Sequence, residues 1–426
     1  MLDRQVAPPV QPLASVTLPA ADVFSLPNGA RLHVLRNDAQ PVIRLQLVFP
    51  AGKWYEPLPG VSLLAARMLL EGTRSRTARQ IADTIAFYGA SLECEQGFDR
   101  ATLTLYCLTR HLEALLPLVL DVATEATFPT TEFELLKSRT IQNVRIERQK
   151  TGYLAAERFS HNLFGNNYPY GVTFDETSFE KLTTEIVKAF YHKAYRVCSA
   201  EIFLCGDISD QDERLVAQTL GQGSTNHQES TDQAEHNLIA VAQHDYVTVS
   251  QSLQASLRIG RLWPSPTHPD AHYLQVLVKV LGGYFGSRLM KNIREDKGFT
   301  YGIYSSVAPR EHASMFVIGA DVNAASAEAA IEEVHNELRR LKQEPIPIDE
   351  LQTVKTYMAG KFANELSTVF EQCDKYKTVV LLGLPSTHYS DFLTHINLVS
   401  PDELQQLAHT YLSPEQMIQV VAGPAK

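Results

Sequence analysis

The chain is 426 residues long, 44% hydrophobic and 20% charged, with a net charge of −10 at pH 7. That length predicts roughly two to three domains, and a negative balance with no basic run excludes nucleic acid and anionic membranes as expected partners. No apolar run approaches the ~20 residues that a bilayer crossing needs; TVVLLGLP at 378–385 is among the longest and reads as buried helix.

In chain order, residues 1–20 are Pro-rich and lack the charged-then-apolar pattern of a secretory signal, so they read as an extended arm. The expected compartment is the cytoplasm, or the periplasm if a signal is removed. Five cysteines, odd in number and without C-x-x-C spacing, fit that compartment; Cys107 and Cys205 lie in apolar strand-like runs and read as buried free thiols.

A first domain is expected over 21–220. LPNGARLHVL carries the hairpin cue Asn28-Gly29, followed by the buried strand IRLQLVF (43–49) and the helix GVSLLAARMLL. Thr77 with Gln80 forms a capping box opening the next helix, and Gly89 closes it. Two strands follow, ATLTLYCLT turning Leu103, Leu105 and Cys107 to one face. Helices are predicted over 111–126 and 132–148, the second capped by Thr131 and Glu134. A helix at 184–194 and a strand at 200–206 end the unit. The segment 221–240 is polar, has no apolar periodicity, and reads as a linker.

The second domain, 241–426, repeats the first. Tyr195 matches Tyr411 at an offset of 216, Gly206 matches Gly423 at 217, and Glu134-Leu135 matches Glu350-Leu351 at 216. The strand 43–49 and its helix correspond to QASLRIG (254–260) and DAHYLQVLVKVLGG. Ser400, Pro401 and Glu403 open the last helix with a capping box and a Pro in its first position. Ordered matches of this kind indicate duplication. Antiparallel strands bracketing grouped helices predict an α+β fold of two homologous domains, each a mostly antiparallel sheet with helices on one face, a half-clamshell.

The most informative stretch is 281–304, LGGYFGSRLMKNIREDKGFTYGIY, read as a helix end, a Gly-containing turn, a second helix and a strand. Arg294 and Tyr301 lie seven residues apart across a helix stop at Gly298. Guanidinium and phenol both donate hydrogen bonds, so the pair could grip a peptide carbonyl or oxyanion. The bland reading is a surface Arg paired with a carboxylate and a Tyr packed in the core. The run Gly282, Ser287, Arg288, Leu289, Arg294, Glu295, Gly298, Tyr301 and Tyr304 resembles the second half of the insulinase/pitrilysin-type zinc peptidases, the inverzincins.

That resemblance implies a metal site in the first half, where an H-x-x-E-H helix supplies two imidazoles and a general base. Counting back from Glu71-Gly72-Thr73, this chain has Leu63, Ala66 and Arg67 in place of His, Glu and His. The third ligand, a Glu, would fall near Gln142–Asn143, with Glu147 about one turn beyond. Leu and Ala cannot ligate zinc, and Arg67 brings a fixed positive charge. His268 and His272 are spaced like a metal clamp, but Pro269 and Asp270 mark a helix start between them, so the rings need not share a face. Gly282-Gly283 is no phosphate loop, since it follows a helix and lacks a downstream Lys-Ser/Thr.

The expectation is a subunit without its own cofactor that supplies a substrate-binding pair, Arg294 and Tyr301, to a zinc-bearing catalytic subunit of similar size. Peptide hydrolysis would belong to the heterodimer, with self-association expected in the partner's absence. A purely structural protein that kept the fold is the alternative; an independent metallopeptidase would need ligands that are missing.

Overall fold

The computed structural model describes residues 18–223, 238 and 240–425. Most of the N-terminal arm and most of the 221–240 linker expected from sequence lie outside the described residues. Eleven strands form two sheets among the described residues. The first contains β1 (Asp22–Ser25), β2 (Arg31–Arg36), β3 (Val42–Phe49), β4 (Ser91–Gln96), β5 (Ala101–Leu108) and β6 (Glu201–Gly206), in the order β1-β2-β6-β3-β5-β4. The second contains β7 (His244–Thr248), β8 (Gln254–Trp263), β9 (Thr300–Ala308), β10 (Ser314–Asn323) and β11 (Ile418–Gly423), in the order β7-β11-β8-β10-β9. Each sheet has one parallel pair, β2 with β6 and β7 with β11, and is otherwise antiparallel. Apart from β1 the two orders are the same, strand for strand, which is how a duplicated unit should look. About half of the molecule is helical, and the architecture is the two-domain α+β fold that the strand and helix cues indicate.

Local chemistry accounts for several element ends. Asn28-Gly29 turns the β1–β2 hairpin, and capping boxes open helices Ala78–Phe87 (Thr77 with Gln80) and Pro401–Tyr411 (Ser400 with Glu403). One expected cap is not there: helix Thr130–Glu147 starts after Pro129 with no side-chain cap, so Thr131 already lies inside its first turn. Pro129 has the extended entry conformation and takes the cap position two residues before the expected one.

The sheets are not covered on one face only. On its inner face the first sheet packs Leu45, Leu47, Leu103, Leu105 and Ile202 against helices of its own half. On its other face Leu35, Val48, Phe203 and Cys205 meet Val369 and Cys373 of helix Val369–Leu381, which comes from the second half. Reciprocally, helix Thr151–Phe164 of the first half lays Ala155, Phe159 and Leu163 on Ile418, Val420 and Ala422 of the second sheet. The two crossing helices are offset by 218 residues at their first residues, close to the offset of the repeat. Polar contacts fix both: Arg44 donates to Asp374 (2.9 Å) and to the Phe370 carbonyl (2.9 Å), and Ser256 to Thr151 (2.8 Å). Burial on both faces is why β3 shows almost no exposed position. No helix among the described residues is long and apolar enough to cross a membrane.

Candidate functional site

Helix Ala271–Gly282 ends in the turn that carries Phe285, and the chain then forms a π-helical segment, Met290–Asp296, before entering β9 at the sheet edge. Leu289 and Ile293 are fully buried and hold this segment on the core of the second half. Arg288 clamps it laterally, its guanidinium making two 2.9 Å bonds to the Glu350 carboxylate. Asn292 donates to Glu333 (3.0 Å) and Glu337 (2.8 Å) on helix Ala327–Gln343. The helix stops at Gly298, whose φ of +66° lies in the left-handed region, and the Phe299 N–H closes onto the Ile293 carbonyl at 3.0 Å. Arg288, Leu289, Asn292 and Ile293 therefore anchor a presenting element on the core of the second half.

Arg294 and Tyr301 are what that element presents. Arg294 has no carboxylate or hydrogen-bond partner among the described residues; its guanidinium carbon stands 4.4 Å from the centroid of Phe285, itself 63% exposed. Tyr301, the second residue of β9, is 95% exposed and its hydroxyl has no partner among the described residues. Neither the surface ion pair nor the core tyrosine of the bland reading is present. Tyr304 is half-exposed and lies flat across Gly319 of the neighbouring strand. A Cβ at position 319 would stand 2.5 Å from the Tyr304 hydroxyl, so the ring can lie there only over a glycine. Sequence reasoning missed Phe285 as the stacking partner of Arg294; its signal was an aromatic flanked by glycines in GGYFGS.

The helix where metal ligands would be expected is Val61–Met68. Leu63 is half-buried in the hydrophobic core, Ala66 is buried, and Arg67 is exposed. Glu56 binds the start of this helix, accepting from the Ser62 hydroxyl at 2.7 Å and from the Gly60 and Ser62 amides at 3.2 Å. Burial pushes its carboxyl above the ordinary range against those bonds. Gln142 and Asn143 are exposed, and Glu147 pairs with Lys150 at 2.6 Å. Among the described residues no group of three His, Cys, Asp or Glu could hold a metal ion. The donor set does not fit zinc.

The histidine pair separates as its flanking Pro predicts. His268 precedes the helix and accepts from the Asp270 amide (3.1 Å), whereas His272 points inward to His395 (2.9 Å) and His388 (3.3 Å). Cys107 and Cys205 are buried free thiols, as is Cys373.

Comparison with known proteins gives the same picture. The family model described as "Insulinase (Peptidase family M16)" matches residues 32–171, and the one described as "Peptidase M16 inactive domain" matches 181–358, together most of the chain. A Bacillus subtilis protein named "Uncharacterized zinc protease YmxG" is 22% identical over 408 residues, covering 94% of this chain and 97% of its own length. The "Non-peptidase homolog YmxG" of Helicobacter pylori is 22% identical, covering 83% of this chain and 82% of its own. The crystal structure of a peptidase M16 inactive domain from Pseudomonas fluorescens superposes with a TM-score of 0.86 at 25% identity, covering 95% of this chain and 98% of the other. With the duplicated α+β unit and the 281–304 motif in place, and without the metal ligands of its peptidase relatives, the chain belongs to the insulinase family, peptidase family M16.

Proposed function

We propose that this chain is a metal-free subunit of a two-chain peptidase, in which it offers Arg294 and Tyr301 to a peptide held at the zinc site of a partner of similar size. The observation that carries the reading is the state of the pair: two hydrogen-bond donors on an anchored element, Tyr301 exposed and Arg294 half-buried, neither with a hydrogen-bond partner among the described residues. A buried or internally paired Arg and Tyr would be explained by stability alone; these two contribute little to it. The guanidinium supplies a fixed positive charge and a planar set of donors, the phenol a single directional one. Together they would orient a peptide carbonyl and stabilise the oxyanion that develops on it. Phe285 holds the guanidinium from one side and limits its freedom before substrate arrives. The partner's H-x-x-E-H helix would supply zinc, which polarises the scissile carbonyl and activates water.

Two measurements test this. The purified chain alone should hold no stoichiometric zinc and cleave no peptide; one tightly bound zinc per chain with chelator-sensitive peptidase activity would overturn the reading. In a reconstituted active complex, Arg294→Ala should lower kcat/KM by roughly 10²–10³, the usual cost of losing a transition-state donor. Tyr301→Phe, which removes only the hydroxyl, should cost less. Wild-type kinetics for both variants would favour a structural role instead, with the fold kept for assembly.

A further inference from the structure

A cavity of about 360 Å³ lies beside the inner part of β9, away from Tyr301 along the strand. It is lined by helix Ala271–Gly282, helix Ile348–Asn364, the crossing helix Val369–Leu381 and helix His388–Leu398, and opens to solvent. Its size falls at the small end of small-molecule sites. Trp263, Met358, Phe362, Tyr389 and Phe392 give it apolar and aromatic walls. Its charged lining is unbalanced: Lys279, Lys361 and Lys375 face it with a single carboxylate, Glu365. Glu365 is shared, 2.6 Å from the Lys375 ammonium and 3.7 Å from that of Lys361. Lys279 makes no ion pair among the described residues; its ammonium donates to the Gly283 carbonyl at 3.1 Å. Burial first, then the nearby Lys361, pull the Lys279 ammonium below the ordinary lysine range, with Glu365 opposing them only in part.

We infer that this cavity is a binding site for an amphipathic carboxylate, its acid group held between Lys279 and Lys361 and its apolar body against Trp263, Phe362 and Phe392. A neutral apolar ligand would leave the excess positive charge desolvated and uncompensated, and a cation would add to it. A carboxylate supplies the missing charge, and the aromatic walls reward an apolar tail. The same chemistry is found in a medium-chain fatty acid and in the C-terminal residue of a peptide ending in an apolar side chain. The site uses neither Arg294 nor Tyr301, so it stands or falls independently of the proposed peptidase role.

Calorimetric titration of the full chain with decanoate and with decylamine tests the charge requirement. A hexapeptide ending in Leu, as free acid and as C-terminal amide, tests the source. Decanoate should bind one to one and decylamine at least about tenfold more weakly, the difference that a charged hydrogen bond makes. Lys279→Met and Lys361→Met should each weaken decanoate by on the order of tenfold. Circular dichroism and melting temperature establish that each variant folds. Lys361 is half-exposed, so its variant keeps the test open if Lys279→Met misfolds. Binding of decanoate alone assigns a small-molecule carboxylate, and binding of the acid peptide but not its amide assigns a chain terminus. Failure of both acids to bind, equal binding of decylamine, or unchanged affinity in folded lysine variants would overturn the inference.

Discussion

His272 shows how a single buried group can set the pH range of the fold. Its ring is hydrogen-bonded on both nitrogens to other imidazoles, His395 and His388, and it is only 8% exposed. Burial first, and the neighbouring His388 and His395 next, bring its pKa down to about 4 from the usual 6.5; burial lowers His388 as well. The folded state therefore keeps His272 neutral where the unfolded chain would take up a proton. Stability from this source is complete above the unfolded pKa near 6.5 and is lost as pH falls from there toward 4, below which both states are protonated. The expected loss is on the order of 2–3 kcal/mol across that window. Urea unfolding of wild type and His272→Gln between pH 7.5 and 4.5 measures it: the amide keeps a hydrogen-bonding group in the cluster but does not titrate. Equal pH slopes for the two proteins would show that the cluster does not control acid stability.

At the scale of elements, the crossing helices do what no cap or turn can, because each completes a core that its own half does not own. Phe159 of the first half is 2% exposed and packs where Gly260 of β8 leaves room. Phe159→Ala should cost roughly 3–5 kcal/mol, the range for removing a buried aromatic. Phe87→Ala, at a ring 82% exposed, should stay within about 0.5 kcal/mol. Denaturant midpoints for the two variants, referred to wild type, check this; a cost at Phe159 below that at Phe87 would mean the contact is not structural. Elements like Ala78–Phe87 and Pro401–Tyr411 were legible in the sequence because their ends are written in adjacent residues, Thr77 with Gln80 and Ser400 with Glu403. The motif around Arg294 was legible for the same reason: its helix, stop and strand follow one another within 24 residues. The crossing of Thr151–Phe164 and Val369–Leu381 was not, since an apolar helix face does not say which sheet it will cover. Nor were the three-histidine cluster and the lysine-lined cavity: His272 is 116 and 123 residues from His388 and His395, Lys279 lies on a different helix from Lys361 and Lys375, and these groups meet only through the packing of the second half.

For the molecule as a whole, duplication and exchange together make the halves interdependent. One mixed core joins Phe159, Phe164 and Tyr170 to Val317 and Val420, and a second joins Phe203 and Cys205 to Val369 and Cys373. A third seam pins the β9–β10 turn to the first half. There Arg100 makes two bonds of 2.7 and 2.8 Å to Glu311, His312 stacks on Trp54 at 3.7 Å, and the Arg310 guanidinium lies 3.4 Å over Phe98. Tyr170 adds a buried hydrogen bond to Asp99, whose other oxygen accepts from the Glu311 amide at 3.2 Å. Domains joined only by a linker usually unfold separately. Here, separating the halves would strip both sheets of a covering helix and expose apolar faces that each half cannot cover alone. Scanning calorimetry of the intact chain should accordingly show one transition, with calorimetric and van't Hoff enthalpies in agreement. The segments 18–223 and 240–425, made as separate chains, should each lack native near-ultraviolet circular dichroism and regain it on mixing. Two resolved transitions, or a native spectrum from either segment alone, would show that the exchanged helices decorate two independent domains instead of fusing them into one cooperative unit.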